Sequence, residues 1–471
     1  MELDIKNYKT KYFGTDGFRG EVNVTLTPLN AYKVGRFLGW YYKSSLYGLN
    51  EPNYKPKIVI GYDTRRSSFM LKSLLVAGIT ASGADAYLLG VTTTPSVAYI
   101  TKSHLFDVGV MITASHNPYY DNGIKIIDRN GEKLDDKTTF YIEQYIDNNF
   151  TYLNVLDGDL PLAKKEDIGS EVDYKKGKSE YINYLTKLAP EHLKNLRIGL
   201  DCANGASYKI AKSVFKNLGV KIYQIGSKPN GINVNENCGS TNIQSLVNLV
   251  KQKKLNLGFA FDGDADRCFA VDENGSVVDG DKILFVLALR LKRLNCLNNN
   301  VVVTTIMSNS GLEKSLNKFN INCSQTSVGD RFVYEEMKNN GYSLGGEQSG
   351  HIILSEYATT GDGLLTAIML LNEVCEQNKT LSKLAGKVTL FPQYVKSVMV
   401  KDKEKVCLDE VIISAVNKIK DELSNDGRIL FRKSGTEPKI RIMIECSNLE
   451  KAKSLSNNLI SLITERGYML E

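Results

Sequence analysis

A chain of 471 residues corresponds to roughly three domains at about 150 residues each, with four not excluded. Its 42% hydrophobic and 24% charged residues are ordinary for a globular protein and too apolar for a disordered one. The formal net charge of +6 is too mild for a nucleic-acid binder, and eight scattered cysteines without a CxxC pair argue against a disulfide scaffold or zinc ribbon.

In chain order, Met1-Glu2-Leu3-Asp4 puts acids where a secretory leader needs bases and then an apolar run. The longest apolar runs, residues 283–289 and 367–371, are far short of the ~20 residues that span a bilayer. A cytoplasmic protein without membrane association is the expectation. Residues 57–63 read as a buried strand and 67–82 as a helix, followed by strands at 83–90 and 108–113. The rhythm returns with a strand at 196–201, a helix at 207–218 and strands at 220–225, 255–262 and 300–305. Strand, helix, strand at this spacing predicts βαβ units and largely parallel sheets. Three of these strands end in Asp: Asp63, Asp201 and Asp262. Sites in open α/β sheets lie beyond the carboxyl ends of strands, so these are expected site loops. The polar stretch 157–178 reads as a linker or insertion. From residue 383 the character changes to strands at 393–400, 428–431 and 440–445 among helices, a smaller α+β unit. Domain boundaries fall near 160, 268 and 382.

Four loops carry chemistry. In residues 109–118 a strand runs into Ser115-His116-Asn117-Pro118, and Pro118 biases Asn117 away from helix. Ser115 is expected at a stiff turn with its hydroxyl exposed, as a nucleophile or phosphoryl carrier beside His116; a plain Ser turn is the alternative. In residues 261–267, Asp262, Asp264 and Asp266 alternate with small residues, so three carboxylates can converge on one hard cation. An EF-hand is disfavoured because Arg267 occupies the slot that needs Gly, and residues 268–271 read as a strand. Mg²⁺ with open positions for a phosphate oxygen fits better. In residues 345–351, Glu347, Ser349 and His351 alternate and can face one side of an extended loop, which suits sugar hydroxyls or an amine; a decorated tight turn is the alternative. In residues 432–441, Arg432, Ser434, Gly435 and Thr436 offer a guanidinium, hydroxyls and backbone donors to a phosphate. No Walker A sequence is present. Together the loops point to phosphoryl transfer on a phosphorylated sugar.

These motifs, with Phe13-Gly14-Thr15-Asp16-Gly17-Phe18-Arg19-Gly20, resemble those of the α-D-phosphohexomutases nearly end to end. Residues 14–20 and 115–125, Val328-Gly329-Asp330-Arg331 and Gln348 resemble most the bacterial branch acting on glucosamine phosphate. The resemblance implies an α/β fold with three βαβ-type mixed-sheet domains (1–160, 161–268, 269–382) and a smaller C-terminal α+β domain (383–471) around a central cleft. It implies a phosphorylated Ser115, with Ser115, Asp262, Asp264 and Asp266 holding one Mg²⁺ per active site. Arg19, His116, Lys125 and Arg267 would line the transfer site, with His116 and Lys125 both candidates for the proton carrier. Glu347, Ser349 and His351 would read the sugar, and Arg432, Ser434, Gly435 and Thr436 would grip its distal phosphate. The implied reaction interconverts glucosamine 6-phosphate and glucosamine 1-phosphate through glucosamine 1,6-bisphosphate, which is also the activator, and feeds UDP-N-acetylglucosamine and cell-wall synthesis. A phosphoglucomutase or phosphomannomutase is the rival within the family; a phosphatase or a silent phosphosugar-binding protein is the rival outside it. The partners implied are a small phosphosugar and a second copy in a homodimer, with no nucleic acid and no membrane. Two residues depart from the branch: Ala265 stands where Gly is common, and Lys439 where an apolar residue is usual.

Overall fold

The computed structural model describes residues 8, 10–44, 47, 54–153, 155, 158–190, 193, 196–424, 426–434 and 438–470, whose strands form four sheets. Three belong to one unit, the described residues of 1–308 and 319–387; the fourth belongs to a second unit, those of 309–318 and 388–471.

The first sheet has the order Phe13–Gly14, Gly17–Glu21, Asp121–Asp128, Val108–Ile112, Lys57–Tyr62, Asp85–Val91, Glu171–Asp173. Lys57–Tyr62 is parallel to both of its neighbours, as the βαβ reading requires. Asp121–Asp128 runs antiparallel to Val108–Ile112, because the intervening return is too short for a crossover. Arg19 lies opposite Gly123, and Lys125 opposite Met111, so strand pairing brings both cations beside the end of Val108–Ile112. The helix Arg66–Ala81 follows its strand as predicted. The polar stretch 157–178 is more than a linker: Glu171–Asp173 pairs parallel with Asp85–Val91, and Lys176–Lys187 is already helix. A short edge strand with acids on its exposed face carries little apolar signal. Asp157 lies outside the described residues.

The second sheet has the order Val277–Val278, Cys268–Asp272, Leu257–Phe261, Arg197–Asp201, Lys221–Ile225. Leu257–Phe261 is buried throughout and pairs antiparallel with Cys268–Asp272, so the triple-Asp segment is the loop of a hairpin. The third has Asn322–Thr326, Val301–Thr305 and Leu344–Gly346 in parallel, closed by antiparallel Ile352–Leu354. These are the three mixed sheets the sequence predicts. In the second unit, Lys439–Cys446 lies between Gln393–Met399 and Gly427–Lys433, all antiparallel, with the helices Glu410–Leu423 and Leu449–Glu465 packed on them. All eight cysteines are free, and no helix among the described residues is long and apolar enough to cross a membrane.

Candidate active site

Ser115 follows the buried strand Val108–Ile112 in a left-handed conformation, φ +50°. That turn points its hydroxyl inward, and the expectation of an exposed hydroxyl is corrected: Ser115 is 1% exposed. Its Oγ donates to Asp262 Oδ2 at 2.5 Å and lies 3.4 Å from His116 Nδ1. The two loops meet this closely because residue 263 is Gly: a Cβ there would stand 2.4 Å from the Ser115 carbonyl oxygen.

Asp262, Asp264 and Asp266 are all buried, each with one carboxylate oxygen within 4.8 Å of the others. Oδ1 of Asp264 and Oδ1 of Asp266 have no hydrogen-bond partner among the described residues. Burial, and repulsion from Asp266 and Asp264, push the Asp262 carboxyl well above the usual range. Three buried carboxylates with unpartnered oxygens fit a hard divalent cation. The loop reaches this shape with Ala265 at φ +57°, a position that glycine adopts more readily.

Cations surround the triad. Lys125 Nζ is 2.8 Å from Asp264, 2.9 Å from Asp266 and 2.9 Å from Asp16. Burial opposes its charge, but Asp16, Asp264 and Asp266 outweigh burial and hold its pKa well above the ordinary value. Asp16 also accepts from Arg19 and, at 2.9 Å, from Lys133. Nε of Arg19 and Nε of Arg267 are buried without an acceptor among the described residues. His116 is pushed down to about 4 by burial, with Arg267 and Arg19 adding to the effect. Thr94 Oγ1, at the start of the helix Thr94–Ser103, donates to Asp264 Oδ2 at 2.5 Å, so that helix supports the triad of the second sheet's hairpin loop.

Glu347, Ser349 and His351 do share a locality, by a different device from the extended loop expected. Residues 347–350 form a tight turn, with Gly350 N donating to Glu347 O and Glu347 N to His351 O, both at 3.0 Å. Glu347 and His351 therefore face each other across a hairpin, and Ser349 sits at its tip with a buried Oγ that has no partner among the described residues. His351 Nε2 accepts from Gly361 N at 3.0 Å and lies 3.4 Å from Asp330, while its Nδ1 is 3.8 Å from Asp266. Burial pushes the Glu347 carboxyl up.

In the second unit Arg432 lies directly opposite Arg441 across the antiparallel pair, a like-charge pairing that an anion would relieve. Burial and Arg441 lower the Arg432 pKa. Ser434 is buried, and its backbone N donates to Lys439 O at 2.9 Å. Gly435 and Thr436 lie outside the described residues.

Patterns of the family described as phosphoglucomutase/phosphomannomutase match residues 10–153 (α/β/α domain I), 179–275 (domain II), 279–391 (domain III) and 396–461 (C-terminal domain). The chain belongs to this family. It is a phosphohexomutase, an isomerase. The chain is 50% identical over 458 residues to the phosphoglucosamine mutase of Lachnospira eligens, covering 97% of this chain and 99% of that one. It is 48% identical to that of Lachnoclostridium phytofermentans, covering 98% and 99%. Among solved structures, a phosphoglucomutase/phosphomannomutase family protein of Burkholderia thailandensis superposes with TM-score 0.76 at 20% identity, covering 97% and 98%. The N-acetylphosphoglucosamine mutase of Aspergillus fumigatus, solved with GlcNAc-6P and magnesium, gives 0.67 at 16%, covering 98% and 97%.

In this phosphohexomutase the first unit thus gathers Arg19, Ser115, His116, Lys125, the three aspartates and Arg267 in one cluster, with His351 reaching its edge. Residue reading missed Asp16, Lys133, Asp330, Thr94, Asn235 and Arg65 as parts of it. Of these only Asp16 and Asp330 had a signal, their place inside quoted motifs.

Proposed function

We propose that this phosphohexomutase interconverts glucosamine 6-phosphate and glucosamine 1-phosphate through a phosphorylated Ser115. One contact carries the choice of reaction: the Ser115 hydroxyl 2.5 Å from Asp262 within a buried carboxylate triad. The choice of sugar rests on relatives named phosphoglucosamine mutase, 44–50% identical over nearly the whole chain.

In the first half-reaction the phosphoryl group on Ser115 Oγ passes to the 1-hydroxyl of glucosamine 6-phosphate. The Oγ–P bond breaks, an O1–P bond forms, and the hydroxyl proton leaves. In the second, the 6-phosphoryl group of glucosamine 1,6-bisphosphate passes to Ser115 Oγ, O6 regains a proton, and glucosamine 1-phosphate departs. Asp262, Asp264 and Asp266, with a Ser115 oxygen, would hold Mg²⁺, whose charge when bound neutralises the transferring phosphoryl oxygens. Arg19 and Arg267 share that work, since each has an Nε–H without an acceptor among the described residues. His116 Nδ1, 3.4 Å from Ser115 Oγ and kept neutral by its low pKa, is the group we assign to accept the proton and pass it on, while Lys125 is tied among three carboxylates and contributes charge. Glu347, Ser349 and His351 are assigned to the sugar, and Arg432, Ser434, Gly435 and Thr436 to its distal phosphate. The proposal includes the cytoplasm as the compartment of the reaction, where a charged phosphosugar would be retained by the membrane.

The test is turnover on glucosamine, glucose and mannose 6-phosphates with Mg²⁺ and catalytic bisphosphate. Glucosamine 6-phosphate should lead in kcat/KM by roughly tenfold or more. Equal or better turnover of another sugar would make this a phosphoglucomutase or phosphomannomutase, and stoichiometric inorganic phosphate would make it a phosphatase.

A further inference from the structure

We infer that Arg65 is the positioning residue of the phosphoserine loop, the group that fixes Ser115 in the orientation both half-reactions need; this rests on the role proposed for Ser115. Arg65 is 2% exposed and immediately precedes the helix Arg66–Ala81. A guanidinium carries five N–H donors in a fixed planar fork. All five are used here, and four end on carbonyls of the loop that begins at Ser115. Nε donates to Asp63 Oδ2 at 2.8 Å. Nη2 donates to Ser115 O at 2.9 Å and Asn117 O at 2.8 Å. Nη1 donates to Pro118 O and, at 3.0 Å, to Asp121 O.

Asp63, the residue just past the strand Lys57–Tyr62, is held equally firmly. Its carboxylate accepts from Arg65 N at 2.9 Å, Ser68 Oγ at 2.9 Å and Thr113 Oγ1 at 2.7 Å. Thr113 Oγ1 in turn accepts the Ser115 amide at 2.9 Å. Both polar backbone groups of Ser115 are therefore tied to one buried Asp63–Arg65 pair. From the loop that follows the strand Lys221–Ile225, Asn235 Nδ2 donates to Ser115 O at 2.9 Å and Asn117 O at 3.2 Å.

A buried arginine near a phosphoryl-transfer centre invites reading as a phosphate ligand, but Arg65 has no N–H left for one. Its donors are spent on geometry. Ser115 needs that geometry because a non-glycine residue at positive φ persists only where its surroundings over-determine it. The same Oγ is leaving atom in one half-reaction and nucleophile in the other, so its position must survive the change in its load. Phosphoryl transfer depends mainly on positioning and charge. Lys cannot replace this group, since its three donors radiate from a single atom.

The experiment loads Ser115 with ³²P and measures the single-turnover rate constant for transfer to glucosamine 6-phosphate, together with the half-saturating sugar concentration. A rate constant is independent of the fraction of protein that is folded, so a loss of fold alone does not move it. Arg65→Lys should lower it by about 100-fold, the cost of roughly 1 Å of misplacement, with half-saturation unchanged within about twofold. Asp63→Asn, which keeps the shape of the side chain but can set an N–H against Arg65 Nε and so unseat the guanidinium, should lower it by about tenfold. It decides the matter if the Arg65 variant yields no folded protein. A rate constant at the wild-type value in either folded variant overturns the assignment. Wild-type protein whose Ser115 label never reaches the sugar overturns the mechanism itself, and the assignment with it.

Discussion

Replacing Asp362 by Asn should stabilise the protein at pH 8 and remove a pH-dependence that the wild type shows between about pH 4 and pH 6. Asp362 is 2% exposed and caps the helix Gly363–Glu376, its Oδ1 accepting from Leu365 N at 3.0 Å. Its Oδ2 accepts from Tyr181 OH at 2.7 Å. The groups facing it are the phenols of Tyr181 and Tyr184 and the Cys268 thiol, with no cation among the described residues. Burial pushes its pKa from 3.8 up to about 6, and the hydrogen bonds offset only part of that. A carboxyl that is easier to protonate when folded binds more protons in the folded state across this window, so stability falls as pH rises through it. A shift of about two units corresponds to about 3 kcal/mol, present in full above pH 6 and absent below pH 4. In Asp362→Asn, Oδ1 keeps the cap, Nδ2 can donate to the Tyr181 oxygen, and the phenol proton can turn to the Thr93 hydroxyl, its other hydrogen-bond neighbour. Urea unfolding of both proteins at pH 4.5, 6 and 8 reads the effect. Because pH 4.5 already lies inside the window, the stability difference in favour of Asn should grow by about 2 kcal/mol from the acid to the alkaline end. A difference that is flat with pH, or an Asn variant that is weaker at pH 8, refutes the reasoning.

Gly263→Ala puts a Cβ 2.4 Å from the Ser115 carbonyl and must part the two loops; kcat should fall by about 100-fold while far-UV circular dichroism stays native. Chelation with EDTA should abolish turnover and added Mg²⁺ restore it, whereas in Asp264→Asn saturating Mg²⁺ should restore little, as steady-state assays will show. Arg432→Ala should raise KM for glucosamine 6-phosphate by about tenfold and make turnover depend on added bisphosphate, because a retained intermediate needs its distal phosphate held; steady-state kinetics with and without bisphosphate measures both.

The predicted strands 57–63, 108–113, 196–201 and 255–262 all formed because their apolar runs are buried on both faces, a pattern that survives in a single sequence. The triple-Asp loop was equally legible, since its residues are neighbours in the chain. What the sequence hid are partnerships at long range. Ser115 and Asp262 are 147 residues apart, and nothing local says that the serine hydroxyl turns inward onto that carboxylate. Asp63 stood out as a strand-terminal acid, but nothing in its neighbours in the chain says that its carboxylate accepts from Arg65 Nε, Ser68 Oγ and Thr113 Oγ1. Arg65 and Arg66 are adjacent and alike in sequence; only the packing selects which guanidinium receives four carbonyls. Glu347 and His351 read as alternating positions on an extended loop, but the left-handed Gly350, φ +87°, closes a turn and makes them cross-strand partners. The edge strand Glu171–Asp173 escaped because polar edges carry no apolar period.

The central claim is that Ser115 carries the phosphoryl group that the sugar receives. The direct test is to mix enzyme labelled with ³²P at Ser115 with unlabelled glucosamine 6-phosphate and Mg²⁺, and to follow the label through one turnover. The label should leave the protein and enter glucosamine 1,6-bisphosphate and then the glucosamine monophosphates. Label that stays on the protein while sugar turns over, or that leaves only as inorganic phosphate, would contradict it.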